Sequence, residues 1–194
     1  SYVIGVSHEV VNTGAAAVTP QLYLQLVRDG NKTDSETPFY STFTGPAVYT
    51  DVQKYQKVEF ADIDKDKLSF EKTSNDGYVA MVQHYFTAAW LLGDGTAREN
   101  FARKVDNNLY SVGAITTLPA VAPGQSQKLD ARLFIGPQQE TVLETVAPGL
   151  ELVKDYGWFT ILAKPLFWLL TQLHAFIGNW GWAIVALVVL LKIA

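Results

Sequence analysis

The pattern of apolar residues changes after Gly136-Pro137, and this change constrains the fold more than any other feature of the chain. From Ser1 to about Pro137, short alternating or apolar runs are separated by turn-forming residues, which is typical of β-strands. Beyond that point the turn residues become sparse, and an apolar segment with almost no charge occupies 158–191. The sequence therefore predicts a β domain followed by helices.

Six runs in the first part are predicted to be strands: Tyr2–Val11, Gln21–Val27, Val58–Phe60, Tyr78–Phe86, Leu109–Thr117 and Lys128–Ile135. Separators such as Asn12-Thr13-Gly14 and Asn75-Asp76-Gly77 supply the positive φ angles that turns need. Most apolar residues here alternate with polar ones, as in a sheet with one face in water. The predicted fold class is therefore mainly β, an antiparallel sandwich with C-terminal helices.

The chain is predicted to divide into four segments. Residues 1–137 form the β-sandwich, which we expect to lack an N-terminal part because Ser1 opens within an apolar run. Residues 138–157 form a helical connection, since 139–146 contains no turn residue. Residues 158–178 form an amphipathic helix, and 179–194 begin a transmembrane helix that is cut short of the roughly 20 residues a span needs.

The amphipathic helix is predicted from its helical wheel. Thr160, Lys164, Thr171 and His174 gather on one narrow face, and apolar residues cover the rest. Its tryptophans are the residue type favoured at headgroup depth, so we expect the helix to lie at the membrane interface. The alternative is that 158–191 is a buried helical hairpin of a soluble protein.

Composition excludes several functions. The formal charge of -4 and the absence of a basic stripe argue against a nucleic-acid surface. His8, His84 and His174 have no partner at metal-ligand spacing, and the alternating Asp62, Asp64 and 66 read as a solvated turn. Neither a nucleophile elbow nor a phosphate-binding loop is present. The sequence therefore predicts no catalytic, cofactor or metal site and no enzyme.

Specific motifs run along the chain. Asp155-Tyr156-Gly157-Trp158 precedes Ala163-Lys164-Pro165-Leu166-Phe167-Trp168-Leu169-Leu170, and Gly178-Asn179-Trp180-Gly181 follows. Upstream lie Gly77-Tyr78-Val79-Ala80-Met81-Val82-Gln83-His84-Tyr85-Phe86 and Phe134-Ile135-Gly136-Pro137. Together these runs resemble the YidC family of bacterial membrane-protein insertases over nearly the whole chain.

The resemblance implies a periplasmic β-supersandwich with C-terminal helices, an interfacial amphipathic helix and a membrane-embedded insertase core. It implies an insertase and chaperone that assists membrane-protein insertion, alone or with the Sec translocon, through a hydrophilic groove inside the membrane. The implied partners are membrane lipid, nascent membrane proteins and the Sec translocon with its associated proteins. The implied location is the Gram-negative inner membrane, and no cofactor is implied.

The resemblance also implies a groove cation at Lys192, where the family usually carries arginine. Lysine keeps the charge but loses the planar fork of arginine, and it can lose its proton when desolvated. The alternative is that Lys192 only extends its amine to the membrane surface, as lysines near helix ends commonly do. The residues predicted at the membrane interface are Trp158, Lys164, Phe167, Trp168, Trp180 and Trp182.

A function from a second class stays open at this point. A β-sandwich tethered to a membrane could serve as a binding or scaffold module that recognises a glycan or a partner protein. An exposed, aromatic-lined cleft would favour this alternative over the insertase.

Overall fold

The computed structural model describes residues 2–31, 43–154 and 160–193. The chain divides into two compact units, Ser1–Lys154 and Asp155–Ala194. The described strands are β1 (Val3–Val11), β2 (Gln21–Asp29), β3 (Gly45–Thr50), β4 (Lys54–Lys57), β5 (Thr73–Ser74), β6 (Tyr78–Val82), β7 (Phe86–Leu92), β8 (Arg98–Asp106), β9 (Leu109–Thr117) and β10 (Ser126–Pro137). The helices are α1 (Phe60–Asp64), α2 (Glu140–Val146), α3 (Thr160–Ile177) and α4 (Trp180–Ile193), with a 3-10 helix at Leu150–Val153.

The strands of the first unit form two antiparallel sheets, which confirms the predicted fold class. The six-stranded sheet has the order β1-β10-β7-β6-β3-β4, and the four-stranded sheet has the order β2-β9-β8-β5. Pairing is regular over long stretches; Val3 to Val11 of β1, for example, pair with Phe134 to Ser126 of β10. The chain thus alternates between the sheets, and its core depends on contacts between residues that are distant in sequence.

The six-stranded sheet is covered on both faces. On one face Val79 and Met81 of β6 pack in the cluster shared with the four-stranded sheet. On the other face Tyr78, Ala80 and Val82 pack against the helical segment that follows β10. The predicted pattern of one wet face therefore does not hold for the centre of this sheet, where every residue of β6 is buried.

The helical segment after β10 belongs to the core of the first unit. α2 forms within the predicted range, and Pro148-Gly149 separates it from the 3-10 helix. Leu143, Leu150 and Val153 are buried in the same cluster as Phe134 of β10. The predicted division at 137, with 138–157 as a helical connection, stays a prediction; the described helices of this range pack against the β-sheet.

Two predicted strands differ from the structure. The run Tyr78–Phe86 is two strands, because the chain turns after Val82 and the Gln83 amide donates to the Phe86 carbonyl (2.9 Å). Val58–Phe60 is not a strand; the amide of Val58 donates to Pro46, and Phe60 begins α1. The predicted turn at 75–77 is confirmed, with Gly77 at a φ of 81°.

Only glycine fits at Gly77. A Cβ at this position would lie 1.8 Å from the carbonyl oxygen of Tyr49, and the positive φ disfavours other residues independently. The backbone of the turn before β6 therefore lies directly against β3. This contact fixes where β6 enters the six-stranded sheet.

Candidate functional site

The described part of the second unit consists of two apolar helices that contact each other. α3 contains Pro165 in its second turn, where the missing N–H costs one helical hydrogen bond near the helix start. α4 carries Lys192 in its last turn. Such helices expose a large apolar surface, and their amino acids suit a lipid or protein environment better than water.

The break between α3 and α4 is built from local interactions. Gly178 adopts a φ of 74°, and its amide donates to the carbonyl of His174 (2.7 Å), which closes the C-terminus of α3. The side-chain oxygen of Asn179 accepts from the amides of Gly181 (2.9 Å) and residue 182 (3.3 Å), which caps α4. The rings of His174 and Trp180 stack with centroids 3.8 Å apart. Gly178 therefore ends α3, and Asn179 caps the first turn of α4.

Four of the residues predicted at the membrane interface have described side chains, and all four are exposed. The exposed fractions are 64% for Trp168 and 67% for Trp182, with Phe167 and Trp180 near one half. Trp158 lies outside the described residues, as does the side chain of Lys164. The structure thus leaves the aromatic rings accessible, and their contact with lipid stays a prediction.

The polar face predicted for α3 is interrupted. Phe167 lies three residues after position 164 and four before Thr171, so it shares their face of the helix. The hydroxyl of Thr171 donates to the main-chain carbonyl of Phe167 (2.8 Å), so this hydroxyl is hydrogen-bonded within its own helix. α3 is therefore more uniformly apolar than the wheel suggested.

Among the described residues, we find no helix that is both long and apolar enough to cross a membrane. α4 has 14 residues. At a rise of about 1.5 Å per residue it is about 21 Å long, which is less than the roughly 30 Å of a bilayer's hydrocarbon core. Lys192 is exposed near its end. The start of a transmembrane helix at 179–194 and the groove role of Lys192 stay predictions.

A cleft of the first unit lies on the outer face of the four-stranded sheet and has a volume of about 540 Å³. The residues that line it include Gln21, Val52, Glu71, Thr73, Asp76, Arg98, Glu99 and Ile115. The sequence does not predict this site, because its lining residues come from separate strands and loops. Its described lining is polar and aliphatic, which differs from the aromatic-lined cleft expected for a glycan site.

Two antiparallel sheets followed by two strongly apolar helices define the class of this chain, a mainly β domain with an apolar helical extension. The family model described as the YidC periplasmic domain matches residues 1–169. The chain belongs to this family. The match extends from the β unit into α3.

Relatives with similar sequences carry the name membrane protein insertase YidC. The protein of Burkholderia cenocepacia (strain HI2424) is 58% identical over 193 residues, covering 99% of this chain and 35% of the relative. That of Cupriavidus necator is 56% identical, covering 100% of this chain and 35% of the relative. That of Janthinobacterium sp. (strain Marseille) is 55% identical, covering 100% and 34%. The chain thus spans about a third of the length of these relatives.

Proposed function

We propose that this chain is the late part of the periplasmic domain of a membrane-protein insertase, together with the helices that lead into the membrane. The observation that carries the proposal is the match to relatives of that name over 99% of the chain, including its apolar helices. The exposed tryptophans of those helices support it, because such side chains suit the headgroup region. The protein would act on nascent membrane proteins in the bacterial inner membrane.

In this proposal α3 lies flat at the membrane interface. Its 18 residues are about 27 Å long, close to the thickness of the hydrocarbon core, but Pro165 interrupts its second turn and Gly178 follows its last residue, which favours a bend at the interface. Because the chain has no cysteine, Leu169→Cys and Val188→Cys can each carry one spin label without background. Depth-dependent quenching in bilayers should place the label at 169 near the headgroups and that at 188 deeper. A label at 169 that reaches the bilayer centre contradicts the interfacial position.

Lys192 is proposed as a cation that attracts acidic or polar parts of a substrate in a hydrophilic groove. A lysine at the centre of a membrane helix costs about 2.5–3.5 kcal/mol on insertion scales. Its position after an apolar run therefore indicates either function or the proximity of a helix end. The two explanations differ in their response to substitution.

The test is substrate insertion by the full-length protein in cells depleted of their own insertase. For a groove charge, Lys192→Arg should retain insertion, and Lys192→Ala and Lys192→Glu should impair substrates with acidic translocated segments, because the attraction depends on the sign of the charge. Protease protection of a single-spanning substrate measures insertion, with variant levels matched by blotting. Normal insertion by Lys192→Glu would remove this residue from the mechanism.

The proposal also includes cooperation with the Sec translocon. The β unit would lie on the periplasmic side, where its surface is accessible to Sec-associated proteins. Photo-crosslinking from exposed positions of the β unit in cells tests this contact. Crosslinks to Sec components support it, and crosslinks to substrate alone favour an insertase that acts independently.

A further inference from the structure

The floor of the cleft is the outer face of the four-stranded sheet. Thr73 of β5 pairs with Glu99 of β8, and Glu99 pairs in turn with Ile115 of β9, so their side chains point to the same face. Gln21 of β2 pairs with Thr117, the next residue of β9 on this face, and its side-chain amide donates to the Thr117 hydroxyl (3.2 Å). Since β-strands provide this floor, the cleft has a fixed shape, and its volume of about 540 Å³ suits several residues of a peptide.

The charge of the cleft is negative. Glu71, Asp76 and Glu99 line it, together with the aliphatic side chains of Val52 and Ile115. Two of the carboxylates are held by contacts within the protein. Glu71 accepts a hydrogen bond from the hydroxyl of residue 50 (2.6 Å), and Asp76 accepts one from the amide of residue 51 (2.9 Å). Each leaves a carboxylate oxygen that these contacts do not use.

One arginine also lines the cleft, and its positive charge offsets part of this acidity. Arg98 is buried, and its guanidinium donates four hydrogen bonds of 2.8–3.3 Å to main-chain carbonyls. The acceptors are the carbonyls of Asn75, Gly77, Gly93 and Thr96. Four of its five N–H groups are thus engaged inside the fold. Arg98 therefore has a structural role, and the three carboxylates still leave the cleft with an excess of negative charge that a cation of a ligand would meet.

Within residues 2–31 and 43–154, one side of the cleft is also a strand edge without a paired neighbour. Among the strands that the structure describes, β5 is the last of its sheet and pairs with β8 alone. The amide of Asn100 donates to the carbonyl of Lys72 (2.6 Å), so the next residue, Thr73, directs its own N–H and C=O away from β8. Thr73 is exposed and lines the cleft. The cleft thus offers a main-chain donor and acceptor beside its carboxylates.

We propose that this cleft binds an extended, positively charged polypeptide segment, which adds a short strand to the free edge of β5 and places basic side chains against Glu71, Asp76 and Glu99. The strand edge supplies main-chain hydrogen bonds, and the carboxylates supply selectivity for lysine or arginine. Val52 and Ile115 would contact the aliphatic parts of those side chains. This inference goes beyond the insertase proposal and does not depend on it.

The experiment measures binding of labelled peptides to the full chain in lipid nanodiscs by fluorescence anisotropy. The probe is acetyl-Lys-Val-Lys-Val-Lys-amide, and the matched controls are its glutamate counterpart and a version N-methylated at both valines. We expect only the first to bind, with an affinity that falls as salt rises. Glu99→Gln should weaken it about 1.5- to 5-fold, as for other exposed ion pairs. Glu144→Gln, which removes the same charge from α2, should leave it unchanged.

A second variant tests the strand edge. Thr73→Pro removes the outward N–H and leaves the hydrogen bonds between β5 and β8 in place, because proline is tolerated on an edge strand whose N–H faces solvent. We expect it to abolish binding of the lysine peptide while the melting temperature stays unchanged. Equal binding of the glutamate or N-methylated peptide, or equal effects of Glu99→Gln and Glu144→Gln, would overturn the proposal.

Discussion

The helical segment after β10 should be essential to the stability of the β unit. Leu143 of α2 is fully buried against the six-stranded sheet. Leu143→Ala removes three carbon groups, each contributing about 0.8 kcal/mol of transfer free energy, so the loss is about 2.4 kcal/mol before the cavity is counted. Buried leucine-to-alanine changes cost about 3–5 kcal/mol in total. At about 2–4 °C per kcal/mol, this loss of about 3–5 kcal/mol lowers the melting temperature by about 6–20 °C.

The matched control is Leu152→Ala, which deletes the same atoms from the 3-10 helix at a position that is 40% exposed. We expect it to cost less than about 1 kcal/mol. The assay is thermal unfolding of residues 1–155 followed by fluorescence of Trp90, the sole tryptophan in that range. Similar effects of Leu143→Ala and Leu152→Ala would refute the reasoning, because they would mean that α2 does not complete the core.

Three further predictions concern the same unit. Residues 1–155 should unfold cooperatively without the apolar tail, since both core clusters lie within them; a broad, non-cooperative transition would contradict this. Tyr78→Phe should lower the free energy of unfolding by about 0.5–1.5 kcal/mol in urea titrations, because its hydroxyl donates to a main-chain carbonyl (2.7 Å) that would lose its partner. Hydrogen bonds from Lys104 and Tyr110 lower the pKa of Asp64 below its usual 3.8. Because the pKa of Asp64 is lower in the folded than in the unfolded protein, ionised Asp64 stabilises the fold at pH values above 3.8. The difference in melting temperature between wild type and Asp64→Asn should therefore be present near neutral pH and vanish as the pH falls below 3.8.

Features that depend on local chemistry could be predicted from the sequence. The turn before β6 was predicted because Asn75, Asp76 and Gly77 supply the required backbone conformations within three residues. The break between α3 and α4 was predicted for the same reason, from glycine followed by asparagine. The turn between β6 and β7 was missed because Gln83, His84 and Tyr85 carry no glycine or proline. That turn is set by antiparallel pairing of the two strands, which the local sequence does not show.

Features that depend on packing between distant segments could not be predicted in the same way. The cleft requires Glu71, Asp76 and Glu99 to meet, and their positions follow from strand order rather than spacing. The change in pattern at Pro137 correctly marks the end of the strands, yet the compact unit continues to Lys154. The end of the last strand can be located from the local sequence. The end of the compact unit depends instead on which apolar side chains are buried in its core.

The sequence of β6 indicates that the compact unit continues beyond the last strand. Tyr78, Ala80 and Val82 are apolar or aromatic, and so are Val79 and Met81, so both faces of this strand must be covered. The four-stranded sheet covers only one face, and a second apolar layer is required for the other. The amphipathic segment nearest in sequence after the last strand is α2, with Leu143 on its buried side. A strand that is apolar on both faces therefore predicts that the helices following the sheet belong to the same core.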